Sequence, residues 1–270
     1  MAQIHGKAGD ATYRAGDRLM ARALIPMLLM GALTYVLFSW GATANQPTRF
    51  ILGITVVALG AWCLGGILRL ETAADRYYAG AGGEHDVGSV LSELPSEFHV
   101  LHGIDFYRGD IDHIVIGPTG VFVVETKSHG GTVGVRHGQL CRNGQPLDRD
   151  YIRQAKLEAR YVQDVLDPAG APGVQAILVF ARAKVRAGKP VHGVKVCALA
   201  SLRTALEDGP PALSPEKVKQ FAALMAKTDT RGISASRRGG ELNWWLSPRG
   251  FTRAAGRPGF VRFPWPWNGH

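Results

Sequence analysis

Residues Asp110 to Lys127 read Asp-Ile-Asp-His-Ile-Val-Ile-Gly-Pro-Thr-Gly-Val-Phe-Val-Val-Glu-Thr-Lys, and this stretch leaves the backbone little choice. Two β-branched runs, Ile111–Ile116 and Val121–Val124, flank Gly117-Pro118-Thr119-Gly120, with proline where a type I turn wants it and glycine at its fourth position. The pattern predicts a β-hairpin. If the loop is symmetric about Pro118-Thr119, residues pair when their numbers sum to 237, so Ile116 meets Val121, Ile114 meets Val123 and Asp112 meets Glu125. Side chains alternate along strands, so Asp110, Asp112, Glu125 and Lys127 are expected on one face at the open end of the hairpin.

Opposed like charges on paired strands, with Cβ atoms ~5 Å apart, destabilise a sheet unless a cation compensates. Two hard oxygen donors beside a lysine suit Mg²⁺ or Mn²⁺ better than zinc. A salt bridge from Lys127 to Asp112 or Glu125 is the plainer explanation of such a trio. The hairpin register and the flanking residues favour the metal-binding reading.

Asp112 followed on the next strand by Glu125-Thr126-Lys127 resembles the D…(D/E)xK signature of the restriction-endonuclease-like superfamily. Gly83-Glu84, Ile111-Asp112-His113, Gly120 to Lys127, Pro146-Leu147 and Gln154 together resemble the nuclease-related domain family, over about residues 80 to 200. The resemblance implies a nuclease-like core with Asp112 and Glu125 as metal ligands, the Thr126 carbonyl completing the shell and Lys127 handling the attacking water. It also implies an auxiliary ligand role for Glu84 and a site-facing Gln154. Glutamate at a helix start is equally explained by the macrodipole, and Gln154 by an ordinary exposed amide. Related exonuclease-like members follow the glutamine with tyrosine four residues on; here that position is Glu158.

The net charge of +9 is unevenly spread. Lys plus Arg against Asp plus Glu is 7 to 4 over residues 1–79, 17 to 17 over 80–230 and 7 to 1 over 231–270. Attraction to phosphates of lipid or nucleic acid is therefore concentrated at the two ends. Cys63, Cys141 and Cys197 have no metal-binding or disulfide spacing, which fits a reducing compartment for the main domain.

Ala23–Trp40 and Phe50–Leu68 are uncharged runs of 18 and 19 residues. Each is long enough to cross a ~30 Å hydrocarbon layer as a helix. Together they predict a transmembrane hairpin within residues 23–70. Lys7, Arg14, Arg18 and Arg22 precede the first span and Arg69 and Arg76 follow the second, while the connecting loop carries Arg49 alone. Basic residues remain on the cytoplasmic side, so the segment 1–22 and everything beyond the second span are expected there, making this a multi-pass protein of the inner or plasma membrane.

Residues 71–83, ending Ala79-Gly80-Ala81-Gly82-Gly83, read as a flexible joint, and Glu84 as the opening of a helix to Leu94. Phe98–His102 predicts a strand with His99 and His102 on opposite faces. Short strands at Thr132–Val135 and Gln139–Arg142 and a helix from Asp150 to Leu166 follow the hairpin. Val174–Phe180 and Val194–Leu199 read as buried strands, and Ser201–Glu207 and Ser214–Lys227 as helices. The expected architecture is α/β: a restriction-endonuclease-like core over 84–230, with a central mixed sheet flanked by helices, preceded by the transmembrane hairpin. Residues 231–270 form a basic tail with four of the six tryptophans, suited to bases, to the bilayer interface or to docking on its own domain.

These features point to a membrane-anchored, Mg²⁺- or Mn²⁺-dependent nuclease acting on nucleic acid, DNA ahead of RNA. The competing class is a catalytically inactive, membrane-tethered module that binds nucleic acid or protein on a nuclease-like fold.

Overall fold

The computed structural model describes residues 1–41, 45–106 and 109–236. Of the basic tail, residues 237–270 lie outside them. Two helices dominate the N-terminal part: α1 (Asp10–Gly41) and α2 (Gln46–Ser92). Asn45 caps α2, its side chain accepting the Thr48 amide at 3.2 Å, and Pro47 follows in the first turn, where a missing amide costs least. Both helices are long and apolar enough to cross a membrane. A helix serving as the core of a water-soluble domain would be mostly covered by protein, yet only 6% of either apolar window is buried.

The second helix continues for 47 residues without interruption, about 70 Å at the usual rise. The glycine-rich joint expected at 71–83 is therefore helix, and Glu84 lies deep inside α2 rather than at its start. Close packing explains Gly83 there and Gly88 a turn further on. A Cβ on Gly83 would collide with the Ser128 side chain, and one on Gly88 would lie 2.6 Å from the Ala8 Cβ. Small residues here let α2 approach both the sheet and the N-terminal segment.

That sheet is mixed and eight-stranded. Its strands are β1 (Gln3–His5), β2 (His99–Phe106), β3 (Gly109–Gly117), β4 (Gly120–Arg136), β5 (Gln139–Arg142), β6 (Gln145–Pro146), β7 (Val174–Arg186) and β8 (Lys195–Ala198). Strands β2, β3 and β4 run antiparallel in sequence order, β1 joins β2 in parallel, and β7 and β8 add in parallel on the other side of β4. Strand β4 extends through Thr132–Val135, expected as a separate strand, because its second half changes partners: Val133–Arg136 pairs with β5 while β7 continues alongside. Likewise β7 runs past Phe180, where the expected strand ended, to Arg186.

Alternation divides the core between two faces. On one, Ile114, Ile116, Val121, Val123 and Leu178 meet Ile152, Ala155, Ala159 and Val162 of α3 (Tyr151–Leu166). Val218 and Phe221 of α5 (Pro215–Ser236) join the same cluster. On the other, Val100, Val115, Phe122, Val124 and Ile177 meet Val87 and Leu91 of α2 and Leu202 and Leu206 of α4 (Leu202–Glu207). The expected α/β class, a central mixed sheet flanked by helices, is what the chain adopts.

Candidate active site

The hairpin of β3 and β4 has the register its turn chemistry dictates, with Ile116 opposite Val121 and Ile114 opposite Val123. The ladder stops at His113 and Val124, one residue short of the acidic pair. There Asp112 turns its carboxylate to the backbone, and Oδ2 accepts the Thr126 amide at 2.7 Å. Asp112 and Glu125 thus come together through side chains rather than as a regular cross-strand pair. Asp110 stands exposed opposite Asp105 of β2. One extra residue enters β4 relative to β7 directly after Lys127, and such bulges commonly re-aim side chains beside functional sites.

Glu125 and Lys127 share the face covered by α3. Glu125 is 1% exposed, and its Oε1 accepts from Lys127 Nζ. Lys127 Nζ also donates to Gln154 Oε1 at 3.3 Å and lies 4.7 Å from the centre of the Tyr151 ring. Gln154 Nε2 in turn donates to Glu158 Oε1 at 3.0 Å. Tyr151, Gln154 and Glu158 recur at helical spacing, so one face of α3 carries all three over the strand. The Tyr151 hydroxyl lies 2.9 Å from His129 Nε2 and donates to Asp148 Oδ1 at 3.1 Å, which fixes the ring beneath the ammonium.

Glu84 reaches the same neighbourhood from α2. Its Oε1 accepts from Thr12 Oγ1 at 2.9 Å, and the Gly9 amide also supports the carboxylate. The Glu84 side chain thus meets the start of a helix other than its own, that of α1. Anionic side chains are favoured there, while the same carboxylate feels Glu125 and Lys127.

Electrostatics follow from this crowding. Burial, then the charges of Glu125 and Glu84, hold the Asp112 carboxyl well above its ordinary value. Burial followed by Glu125 and Asp112 does the same to Glu158. Glu84 is raised by burial, against the hydrogen bond from Thr12. For Lys127, burial works to lower the pKa, but Glu125 and Asp112 outweigh it and keep the amine an ammonium. Four carboxyl groups thus surround Lys127, and Glu125 Oε2 and Glu158 Oε2 are buried with no donor other than a proton shared between those two acids.

Oxygen donors in this number and state fit a hard divalent cation. Among the described residues no three acidic, histidine or cysteine side chains already stand in coordination geometry. Among the described residues, the Glu125 carboxylate pairs with Lys127. Asp112, Glu125 and Glu84 could supply ligands from three elements; Thr126 makes its visible contribution through its amide.

The fold gathers Glu84, Asp112, Glu125, Thr126, Lys127 and Gln154 into one neighbourhood. Sequence reasoning missed Tyr151, His129 and the participation of Glu158. A signal existed for Glu158: it lies three residues beyond Ala155 and four before Val162, on the buried stripe of α3, where an unpaired acid is costly.

Residues 79–182 match the family model of the nuclease-related domain, which bears out the resemblance read from the motifs. An uncharacterized protein of Bacillus anthracis is 48% identical over 62 residues, which is 21% of this chain and 29% of that relative. The match thus spans less than a third of the relative's length. No solved structure matches the chain.

Proposed function

We propose that this chain, which carries a nuclease-related domain over residues 79–182, is a membrane-anchored nuclease hydrolysing phosphodiester bonds with Mg²⁺ or Mn²⁺. What carries the reading is the convergence of Asp112, Glu125, Lys127 and Gln154 on one sheet face, inside the segment the family model matches. Asp112 and Glu125 would hold the cation, with the Thr126 carbonyl and Glu84 as auxiliary ligands. When bound, such a cation supplies Lewis acidity at the phosphate and lowers the pKa of a coordinated water. Lys127 acts as an ammonium that orients the attacking water and balances charge building on the phosphate, and Gln154 fixes the direction of that ammonium. The superfamily resemblance puts DNA ahead of RNA as substrate.

The ion pair between Lys127 and Glu125 favours a second reading, a non-catalytic binding module in which the trio is structural. Asp112→Asn separates the two. In a nuclease the substitution abolishes cleavage and erases a Mg²⁺-dependent rise in melting temperature, since ligand binding to the native state alone stabilises by about 2.7 kcal/mol at a hundredfold excess over Kd. Metal-free stability at pH 7 is unchanged or higher, because a strained acid is removed and asparagine can still accept the Thr126 amide. Loss of stability regardless of Mg²⁺, with no cleavage by the wild type, favours the structural module.

Anchoring rests on the two apolar helices and their exposure, and orientation on the basic residues flanking them. Reporters fused before Asp10 and within residues 42–45 are expected on opposite sides of the membrane, the first cytoplasmic. A reporter before Asp10 found outside the cytoplasm reverses the orientation.

A further inference from the structure

Glu158 stands where the exonuclease-like pattern has tyrosine, and nothing in the proposed chemistry so far needs it. It is 1% exposed, in the middle of α3, among the buried Ile152, Ala155, Ala159 and Val162. A carboxylate buried there is expensive unless it is paired and hydrogen-bonded. Only half of it is satisfied: Oε1 accepts from Gln154 Nε2 at 3.0 Å, while Oε2 has no partner. The Glu125 carboxyl lies within hydrogen-bonding reach, and its own Oε2 is equally buried and equally unpartnered. Two facing carboxyls have no donor between them unless one keeps a proton, as the raised pKa of Glu158 indicates, or a positive group takes that proton's place. Lys127 meets that need in part, because its ammonium is committed to Glu125 Oε1 and Gln154 Oε1.

Gln154 gives the pair a direction. Its carbonyl oxygen accepts from Lys127 and its amide nitrogen donates to Glu158, so one side chain sets both partners at once. That arrangement aims the free oxygen of Glu158 at Glu125 instead of letting it find a donor on the helix.

We propose that Glu158 is a metal ligand: a carboxylate from α3 that joins Asp112 and Glu125 around a hard divalent cation, Mg²⁺ or Mn²⁺. This rests on the reading of Asp112 and Glu125 as ligands and adds a contribution from the helical layer opposite the hairpin. The two orphaned oxygens become donors to the ion, and Gln154 is a positioning residue that orients Glu158.

The test is direct titration of Mn²⁺ into the full-length chain in detergent, followed by calorimetry or by the electron paramagnetic resonance of free Mn²⁺, for wild type, Glu158→Gln, Glu158→Asp and Asp112→Asn. Glu158→Gln keeps the size of the side chain and removes a repulsive charge, and a melting curve without metal checks that it folds. Its Mn²⁺ affinity is expected to fall at least tenfold, with partial recovery in Glu158→Asp. Gln154→Ala is expected to weaken binding by a few-fold, with Glu158 present but less well aimed. Wild-type affinity in a folded Glu158→Gln, with binding still lost in Asp112→Asn, overturns the proposal and leaves the nuclease reading standing. Glu158-dependent Mn²⁺ binding in a chain that cleaves no nucleic acid does the reverse. Absence of Mn²⁺ binding by the wild type overturns both.

Discussion

Two buried polar clusters sit on opposite faces of the same hairpin at neighbouring positions, and they handle burial in different ways. On the α3 face Asp112, Glu125 and Glu158 crowd around Lys127. On the α2 face His102 of β2 meets His113 of β3, Nδ1 to Nδ1 at 2.7 Å, with the rings edge to face. A histidine can resolve its burial by giving up its proton: burial pushes His102 down to about 4 and His113 well below its ordinary value, so one neutral ring donates and the other accepts. The carboxylates are caught differently. A proton taken up by Glu158 is shared with Glu125, and the set still holds several acids around one ammonium. Each face leaves a buried polar atom unpartnered, His113 Nε2 on one and Glu125 Oε2 and Glu158 Oε2 on the other, but only the α3 face gathers oxygen donors of the kind a hard cation takes.

The largest expected effect comes from removing the lysine. Lys127→Met takes away the counter-charge of a carboxylate that is 1% exposed, and breaking such a pair costs about 3 kcal/mol or more. Denaturant unfolding at pH 8 without metal measures it, and cleavage is lost as well. Acidification shrinks the penalty, because the carboxyls of Asp112 and Glu158 already have raised pKa values and take up protons first. Added Mg²⁺ recovers part of it. A variant as stable as wild type at pH 8 would show that Lys127 is not the charge holding the acids together.

The histidine face gives the next effect, with the opposite pH dependence. A histidine whose folded pKa is about 4 and whose unfolded value is about 6.5 leaves the unfolded state holding more protons between those limits. Stability from this face is therefore complete above pH 6.5 and lost as pH falls toward 4, by about 2–3 kcal/mol for His102. Asp112 and Glu158, with raised pKa values, contribute stability that is present at low pH and lost as pH rises through them. Stability curves for wild type and His102→Gln separate the two: the variant should lose less on acidification between pH 6.5 and 4.5. Parallel curves would mean that the histidine pair opens to solvent without cost.

How far the sequence carries this comparison depends on which interactions are local. The hairpin was legible because Pro118 and Gly120 set the turn and alternation sets the register, so Ile116–Val121 and Ile114–Val123 pair as written. Asp112 opposite Glu125 was legible only as proximity, since the ladder yields to the Thr126 amide one residue earlier. The glycines at 80, 82 and 83 read as a joint because turn propensity is visible in a sequence, whereas the partner that needs the space, Ser128, is 45 residues away from Gly83. Glu84, read as the opening of a helix, lies inside α2 instead, and its contact with the start of α1 was hidden for the same reason. Glu158 registered only as a departure from a motif. Its position on the buried stripe was available from spacing alone, but which strand lay beneath it was not.

The smallest effect tests how far the acidic cluster extends toward the apolar helices. Thr12 belongs to the first turns of α1, the helix that continues into the first apolar run, and its hydroxyl donates to Glu84 Oε1 at 2.9 Å. Thr12→Val preserves shape and deletes one donor, leaving Glu84 with the Gly9 amide. A hydrogen bond to a charged, partly buried acceptor contributes about 1–2 kcal/mol, so melting should fall by a few degrees. The Glu84 pKa, already raised by burial, rises further when that hydrogen bond goes, so the loss is larger at pH 8 than at pH 5. If Glu84 is an auxiliary ligand, Mn²⁺ affinity changes only a few-fold, because Asp112, Glu125 and Glu158 remain. A loss of affinity as large as that of Asp112→Asn would instead make the start of α1 part of the metal site, and would tie the chemistry of the sheet directly to the helix that carries the first apolar run.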